Sequence, residues 1–310
     1  MTDAGKGAAA LGAGLAIAYT AFISSADAVT KLIAGSFSAP QLYFLSGLIV
    51  MSLSVLADRH PSQRLGLKTT RPVAMAIRSA ATVVAAVSFF YAFRYLPFAE
   101  VFVFIGMMPI LAGLMSGLIL REHVSPAAWG ALVAGFVGVL CLFPGGVGSI
   151  SIGHVFAVSA AVFGTLSMVM ARYIGRFEQN ALAQVFYPNA AIFVTMAGAL
   201  PFVWQPMSVA DFGWVAAYAG LLFAARWLLV VALRLLAAYA VTPLMNLQFV
   251  WMVILGAVFF GEYPAANTYL GVAIVIATGL FLVWDQFTPT DQRKPLFELD
   301  NLFRLFRTDP

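Results

Sequence analysis

Thr20, Ser24, Asp27 and Lys31 follow one another at steps of four, three and four, so a helix through them carries one polar stripe that ends in an acid and a base one turn apart. Two readings of this stripe stand. Asp27 and Lys31 form an internal ion pair that lowers the cost of burial, or they line a pathway in which the carboxylate is a protonation switch. Arg94 and Glu100 flank a short turn further on. Arg94 has a stem long enough to snorkel to an interface. Glu100 opens a stripe with Phe104, Met107 and Leu111, which places an acid at the mouth of a flexible apolar wall. Arg226 stands inside a long apolar run, where a lipid-facing charge costs about 2.5–3.5 kcal/mol on insertion scales. It is expected to face inward, toward a cavity or as a clamp within the bundle. A two-residue step turns about 200° on a helix. Asn246 and Gln248 therefore divide between a cavity face and a packing face, and Tyr187 shares a face with Gln184 and not with Asn189. Ser24, Asp27, Lys31, Glu100, Met107, Tyr187, Arg226, Asn246 and Gln248 are the candidate solute contacts.

Enzyme chemistry finds little support. The chain has no GxxxxGK[ST] phosphate loop, no HExxH and no GxSxG. Ser24 beside Asp27 lacks a histidine base, which leaves an intramembrane enzyme as the weakest reading. No catalytic residue, metal site or cofactor is expected, and no nucleic-acid partner. Cys141 is the one cysteine, which excludes an internal disulfide.

The elements that must position these residues are membrane helices. The chain is 62% hydrophobic and 10% charged, with mean hydropathy +0.93, far from the roughly 25% charged residues of soluble domains. Apolar runs long enough to cross about 30 Å of hydrocarbon fall near 9–33, 39–57, 73–94, 98–120, 126–144, 154–174, 181–203, 213–236, 239–260 and 264–285. The longest internal connection, 58–72, is too short for a soluble domain. With the N-terminus in the cytoplasm, Lys and Arg gather on the inner side of the membrane and only Lys31 and Arg94 lie outside, so both termini are expected in the cytoplasm. The run after Lys6 ends at Ser24-Ser25-Ala26, a small-residue pattern like a signal cleavage site. It is long for a signal, and its loss would leave nine helices, so the first helix is expected to stay.

The chain also repeats. Residues 96–143, beginning LPFAEVFVFIGMMPIL, return in altered form from Leu236, which matches Glu122 to Glu262 and Arg94 to Arg234. Five helices per copy is an odd number, so the copies enter the membrane from opposite sides. The expected fold is an all-α integral membrane protein of ten helices in two inverted five-helix repeats, 1–147 and 148–287. The tail, 288–310, is a disordered end or an interfacial amphipathic helix carrying Leu299, Leu302, Phe303 and Phe306. Inversion puts Glu122 and Glu262 on opposite sides, so they read as residues that order helix ends and not as one acid–base pair. Gly113 and Gly117 form a GxxxG pair suited to close helix packing.

The stretch FRYLPFAEVFVFIGMMPILAGLMSGLILREHVSPAAWGALVAGFVGVLCLFPGG and its weaker copy through GEYPAANTYLGVAIVIATGL resemble the EamA-type repeat of the drug/metabolite transporter superfamily. FISSADAVTKL further resembles the group whose first helix ends in Asp-x-x-x-Lys, riboflavin and S-adenosylmethionine carriers among them. The resemblance implies a ten-helix inverted bundle with a central cavity that moves small metabolites. In one respect the chain departs. Where many relatives carry an arginine in the second helix after an aromatic pair, this chain has Ser46, so Arg78 or Arg226 would take that part, or the solute differs. The functional expectation is a secondary transporter of a small amphiphilic metabolite such as an amino acid, vitamin or nucleoside-like cofactor. It would lie in a bacterial-type inner membrane as a monomer or weak homodimer, with export the favoured direction. A passive channel is the alternative.

Overall fold

The computed structural model describes residues 3–33, 37–59, 66–95, 104–122, 126–141, 151–236 and 247–261, with a few positions between 241 and 245 and between 273 and 281. Glu100, Asn246, Glu262 and the tail lie outside the described residues, as do the Lys31 and Cys141 side chains.

Polarity is inside out relative to a soluble protein. Gln41, Ser46, Ser54, Thr165, Gln184 and Asn189 are buried, while Val209 is 90% exposed and Phe202 87% exposed. Hydrocarbon around the bundle accounts for both facts, since it welcomes apolar surface and offers polar groups no partner. Among the described residues, six helices are long and apolar enough to cross a membrane. They are α1 (Asp3–Ile33), α2 (Ala39–Asp58), α3 (Pro72–Tyr95), α6 (Ile152–Gly175), α7 (Ala181–Val203) and α8 (Val209–Leu235). Shorter helices are α4 (Met108–Met115), α5 (Pro126–Cys141) and α9 (Gln248–Phe260).

Local chemistry sets the ends of these helices. Ser208 Oγ accepts from Asp211 N–H, and the Asp211 carboxylate accepts from Ser208 N–H, a reciprocal cap on α8. Asn180 caps α7 by accepting from Ala183 N–H at 3.0 Å. The fourth segment is less regular than the uninterrupted helix expected over 98–120. A turn at Met107 precedes Pro109, and α4 runs into a π-helix at Ser116–Leu120 that ends with Arg121 at φ 53°. Glu122 N–H closes that end on Ser116 C=O.

Small residues let the helices approach. Ala16 of α1 and Ala225 and Ala232 of α8 are fully buried in one cluster with Leu233 and Leu236. A side chain at Gly12 would put its Cβ 2.9 Å from both Leu235 Cβ and Leu236 Cγ, whereas one at Gly14 would meet nothing within 4 Å. Gly12→Val should therefore destabilise the detergent-solubilised protein by about 1–3 kcal/mol, and Gly14→Val should leave its melting temperature nearly unchanged. Equal melting temperatures for the two variants would contradict this packing.

Helix pairing is ordered. The most extensive contacts join α1 with α8, α3 with α6 and α2 with α7. Weaker ones join α3 with α7, α2 with α8, α1 with α9 and α4 with α6.

Candidate functional site

Polar side chains inside the bundle form three groups at different depths. The first joins α1 to α9. Ser24 Oγ donates to the Gln248 carbonyl at 3.1 Å, and Gln248 Nε2 donates to Asp27 Oδ2 at 2.7 Å. One turn below, Trp251 Nε1 donates to Thr20 Oγ1 at 3.0 Å. The stripe read from the sequence thus faces α9, and Gln248 is the member of the Asn246/Gln248 pair seen to meet it. The described partner of the Asp27 carboxylate is the Gln248 amide.

The second group joins α8 to α7. Arg226 Nη1 donates to Asn189 Oδ1 at 2.6 Å, and Asn189 Nδ2 donates back to Val185 C=O within its own helix. Arg226 faces inward, as its insertion cost requires. Tyr19, Tyr43 and Tyr218 interact electrostatically with both Asp27 and Arg226, so α1, α2 and α8 surround this region with phenol rings. None of the three is evident from spacing, because tyrosines in apolar runs look like ordinary packing. Asn189 has a readable signal, an amide directly after Pro188 within a helix. Tyr187, the neighbour singled out from the sequence, instead packs beside Phe186 and the Ala74–Met75–Met170 cluster.

The third group lies near the starts of α3 and α7, toward Gly175 and Arg234. Arg78 of α3 is 8% exposed and donates through Nη1 to Gln184 Oε1 on α7. Gln184 itself is fully buried. Pro188 has no N–H for the Gln184 carbonyl, so the continuous helix lacks one backbone hydrogen bond between the two arginine contacts. Met107 is half-buried at the turn before α4, and Phe104 beside it packs on the α1–α6–α8 core.

Charge then gathers at one end of the bundle. Glu122 Oε1 accepts from Arg172 Nε at 3.1 Å and from Arg176 Nη2 at 2.6 Å. Arg172 Nη1 also reaches the carbonyls of Leu233 and Arg234 at 2.8 and 2.9 Å, and Arg176 Nη1 reaches that of Leu120 at 2.8 Å. Glu122 is therefore the hub of a cross-helix ion-pair network, a stronger role than the ordering of its own helix end. Beside it the Glu178 carboxylate takes Thr70 N–H at 2.6 Å and the hydroxyls of Thr69 and Thr70, and Arg71 lies 3.9 Å over the Phe177 ring. The opposite end is tied by neutral bonds. Gln41 exchanges two of them with the Gln205 backbone, at 2.8 and 2.9 Å. Arg94, at that end, is exposed.

Residues 10–143 match the model of the EamA-like transporter family. Across that region, somewhat under half of its length, the chain is similar to members of that family. The relatives it matches are named as transporters of small metabolites, all of the drug/metabolite transporter superfamily. It is 26% identical over 179 residues to a riboflavin transporter of Vibrio cholerae, a match that covers 57% of this chain and 60% of that protein. An S-adenosylmethionine uptake transporter of Rickettsia conorii is 22% identical over 250 residues, covering 79% of this chain and 81% of the relative. A riboflavin transporter of Brucella anthropi is 24% identical over 199 residues, covering 62% and 70%. A solved crystal structure 18% identical in sequence superposes with a TM-score of 0.72, over 91% of this chain and 99% of that one, and so shares the fold.

Proposed function

We propose that this EamA-like protein is a secondary active transporter that carries a small amphiphilic metabolite, such as an amino acid, vitamin or nucleoside-like cofactor, by alternating access. The carrying observation is the Asp27–Gln248 and Arg226–Asn189 pairs, set among tyrosines inside a bundle whose exterior is apolar. Polar groups at successive depths above a charged closure suit a solute that passes through and binds on the way.

Helix pairing supports two inverted five-helix repeats. Inversion exchanges α1 with α6, α2 with α7, α3 with α8 and α4 with α9. Under that exchange the α1–α8 pair becomes α6–α3, and α2–α7 becomes itself. Likewise α3–α7 becomes α8–α2, and α1–α9 becomes α6–α4. Each of these partners is among the observed contacts. The gathering of Arg172, Arg176 and Arg234 at one end fits the positive-inside rule, with that end and both termini in the cytoplasm of a cell bounded by this inner membrane.

Proton coupling would run through Asp27, an intramembrane acid held by a neutral amide. Uptake into proteoliposomes should accelerate severalfold with an imposed pH gradient, and Asp27→Asn should abolish that acceleration while leaving exchange. Flux that ignores both the gradient and Asp27→Asn would sink the proton-coupled form. Saturation with solute separates a carrier from a passive channel. The Rickettsia relative is named for uptake, which favours import over the export read from the sequence. Counterflow measured in vesicles of both orientations decides the direction.

A further inference from the structure

We propose that Arg78 and Arg226, both bonded to α7, form an oxyanion subsite that takes the carboxylate or phosphate of the transported solute. The inference rests on the transporter reading and adds to it the charge class of the cargo.

Arg78 and Arg226 come to α7 from different helices, α3 and α8, and each is met there by a neutral amide, Gln184 or Asn189. Neither guanidinium has a carboxylate partner among the described residues, and their positive charges act on one another. Asp27, the acid that acts on the same three tyrosines as Arg226, is held by Gln248. Two like charges brought together inside a membrane bundle are opposed by desolvation and by mutual repulsion, and neutral amides offset little of either. A guanidinium is the side chain suited to bidentate capture of a planar carboxylate or a phosphate.

The unsatisfied atoms at Arg78 have one polarity. Arg78 Nε and Gln184 Nε2 are buried and have no hydrogen-bond partner among the described residues. Both are donors. The amide cannot be turned to change this, because its oxygen must face Arg78 Nη1, which has only protons to offer. What the site lacks is an acceptor, and an ionised oxyanion supplies one to donors and guanidinium charge alike.

A structural clamp would show the opposite chemistry. A residue that served only to pin α3 to α7 would gain by a carboxylate on α7, and an uncharged pair would hold the helices without burying a cation. The two alternatives therefore predict opposite signs for the same substitution. If Arg78 is held for an absent anion, Arg78→Gln relieves the protein without ligand and raises its melting temperature by a few degrees. If it is a clamp, that temperature falls.

The test uses the full-length protein in detergent and in proteoliposomes, with solute pairs that differ in their anionic group. The pairs are S-adenosylmethionine with its decarboxylated form, riboflavin with riboflavin 5′-phosphate, and tryptophan with tryptamine. Thermal stabilisation should come from at least one anionic member and should be weaker by on the order of tenfold or more in affinity for its partner. Arg78→Gln should remove that preference, Arg78→Lys should restore part of it, and the ligand-free variant should be no less stable than the parent. The carboxylate pairs and the phosphate pair tell which oxyanion is taken.

Stabilisation by the uncharged or cationic members as strong as by the anionic ones overturns the subsite but leaves the transporter reading intact, as does an anion preference that survives Arg78→Gln. A lower melting temperature for ligand-free Arg78→Gln, with ligand preference unchanged, assigns Arg78 to the clamp. Failure of every solute to bind or to move overturns the subsite and the transporter reading together.

Discussion

Arg226→Ala should lower the initial rate of solute transport in proteoliposomes by on the order of tenfold to a hundredfold or more, with the protein still folded. The guanidinium sits in the middle group of polar side chains, bonded to one amide at 2.6 Å and within electrostatic reach of Tyr19, Tyr43 and Tyr218. Removing it takes away the charge those rings surround and leaves Asn189 with its remaining bond to Val185 C=O. A charge-assisted hydrogen bond is worth about 1.5–3 kcal/mol, which sets the size of the effect if the solute shares it. Arg226→Lys keeps the charge and loses the planar fork, so it should fall between the parent and the alanine variant. Asn189→Ala distinguishes binding from bracing. If Arg226 serves the solute, the two substitutions couple in transport rate and hardly at all in melting temperature; if it braces α8 against α7, the coupling appears in melting temperature. A ligand whose thermal stabilisation survives Arg226→Ala would remove this residue from the site.

How far the site could be read in advance depended on the range of each interaction. The face of α1 bearing Thr20, Ser24 and Asp27 follows from helical periodicity, a local property, and the structure turns it toward α9 as one face. Its partner does not follow. Gln248 lies more than two hundred positions away, and the choice between it and Asn246 turns on where α9 packs, which no spacing within α9 encodes. The inward orientation of Arg226 came from cost alone, since a charge in hydrocarbon has nowhere else to go. Spacing separates Asn189 from the face shared by Gln184 and Tyr187, and on its own face Asn189 accepts from Arg226. In a bundle where α7 contacts α2, α3 and α8, both of its faces are interior, so facing away from one neighbour is no argument against a polar role.

Glu122 carries a second lesson, because a residue at a helix end appears as a cap until the ends of other helices are brought to it. The π-helix at Ser116–Leu120 and the left-handed turn at Arg121 set Glu122 at the α6 terminus, where Arg172 and Arg176 share its Oε1. Through Arg172 the network continues to the last carbonyls of α8, so α4, α6 and α8 close together at that end. Under alternating access this closure must break once per cycle. Breaking it by mutation should bias the protein toward opening at that end.

Glu122→Ala should accordingly raise, by roughly tenfold, the rate at which a membrane-impermeant maleimide reaches a cysteine placed at Met168, one turn above Arg172 and 7% exposed, in protein whose Cys141 has been replaced. The Arg172 pair is mostly shielded from water, with side-chain exposures of 19% and 13%. Arg176 is 37% exposed, so solvent weakens its share. A net loss of about 1.4 kcal/mol would be enough, since that shifts a two-state equilibrium tenfold. The label should enter from one side of the membrane only, which also tests whether the Arg234 end is cytoplasmic. Reversing the pair with Glu122→Arg and Arg172→Glu should recover part of the protection, because the attraction is restored although the fork geometry is not. If Met168→Cys reacts no faster in folded Glu122→Ala than in the parent, the ion pairs are not what holds this end shut. The burial of α1 against Leu235 and Leu236 around Gly12 and Ala16 would then be the closure, with the charges only orienting it.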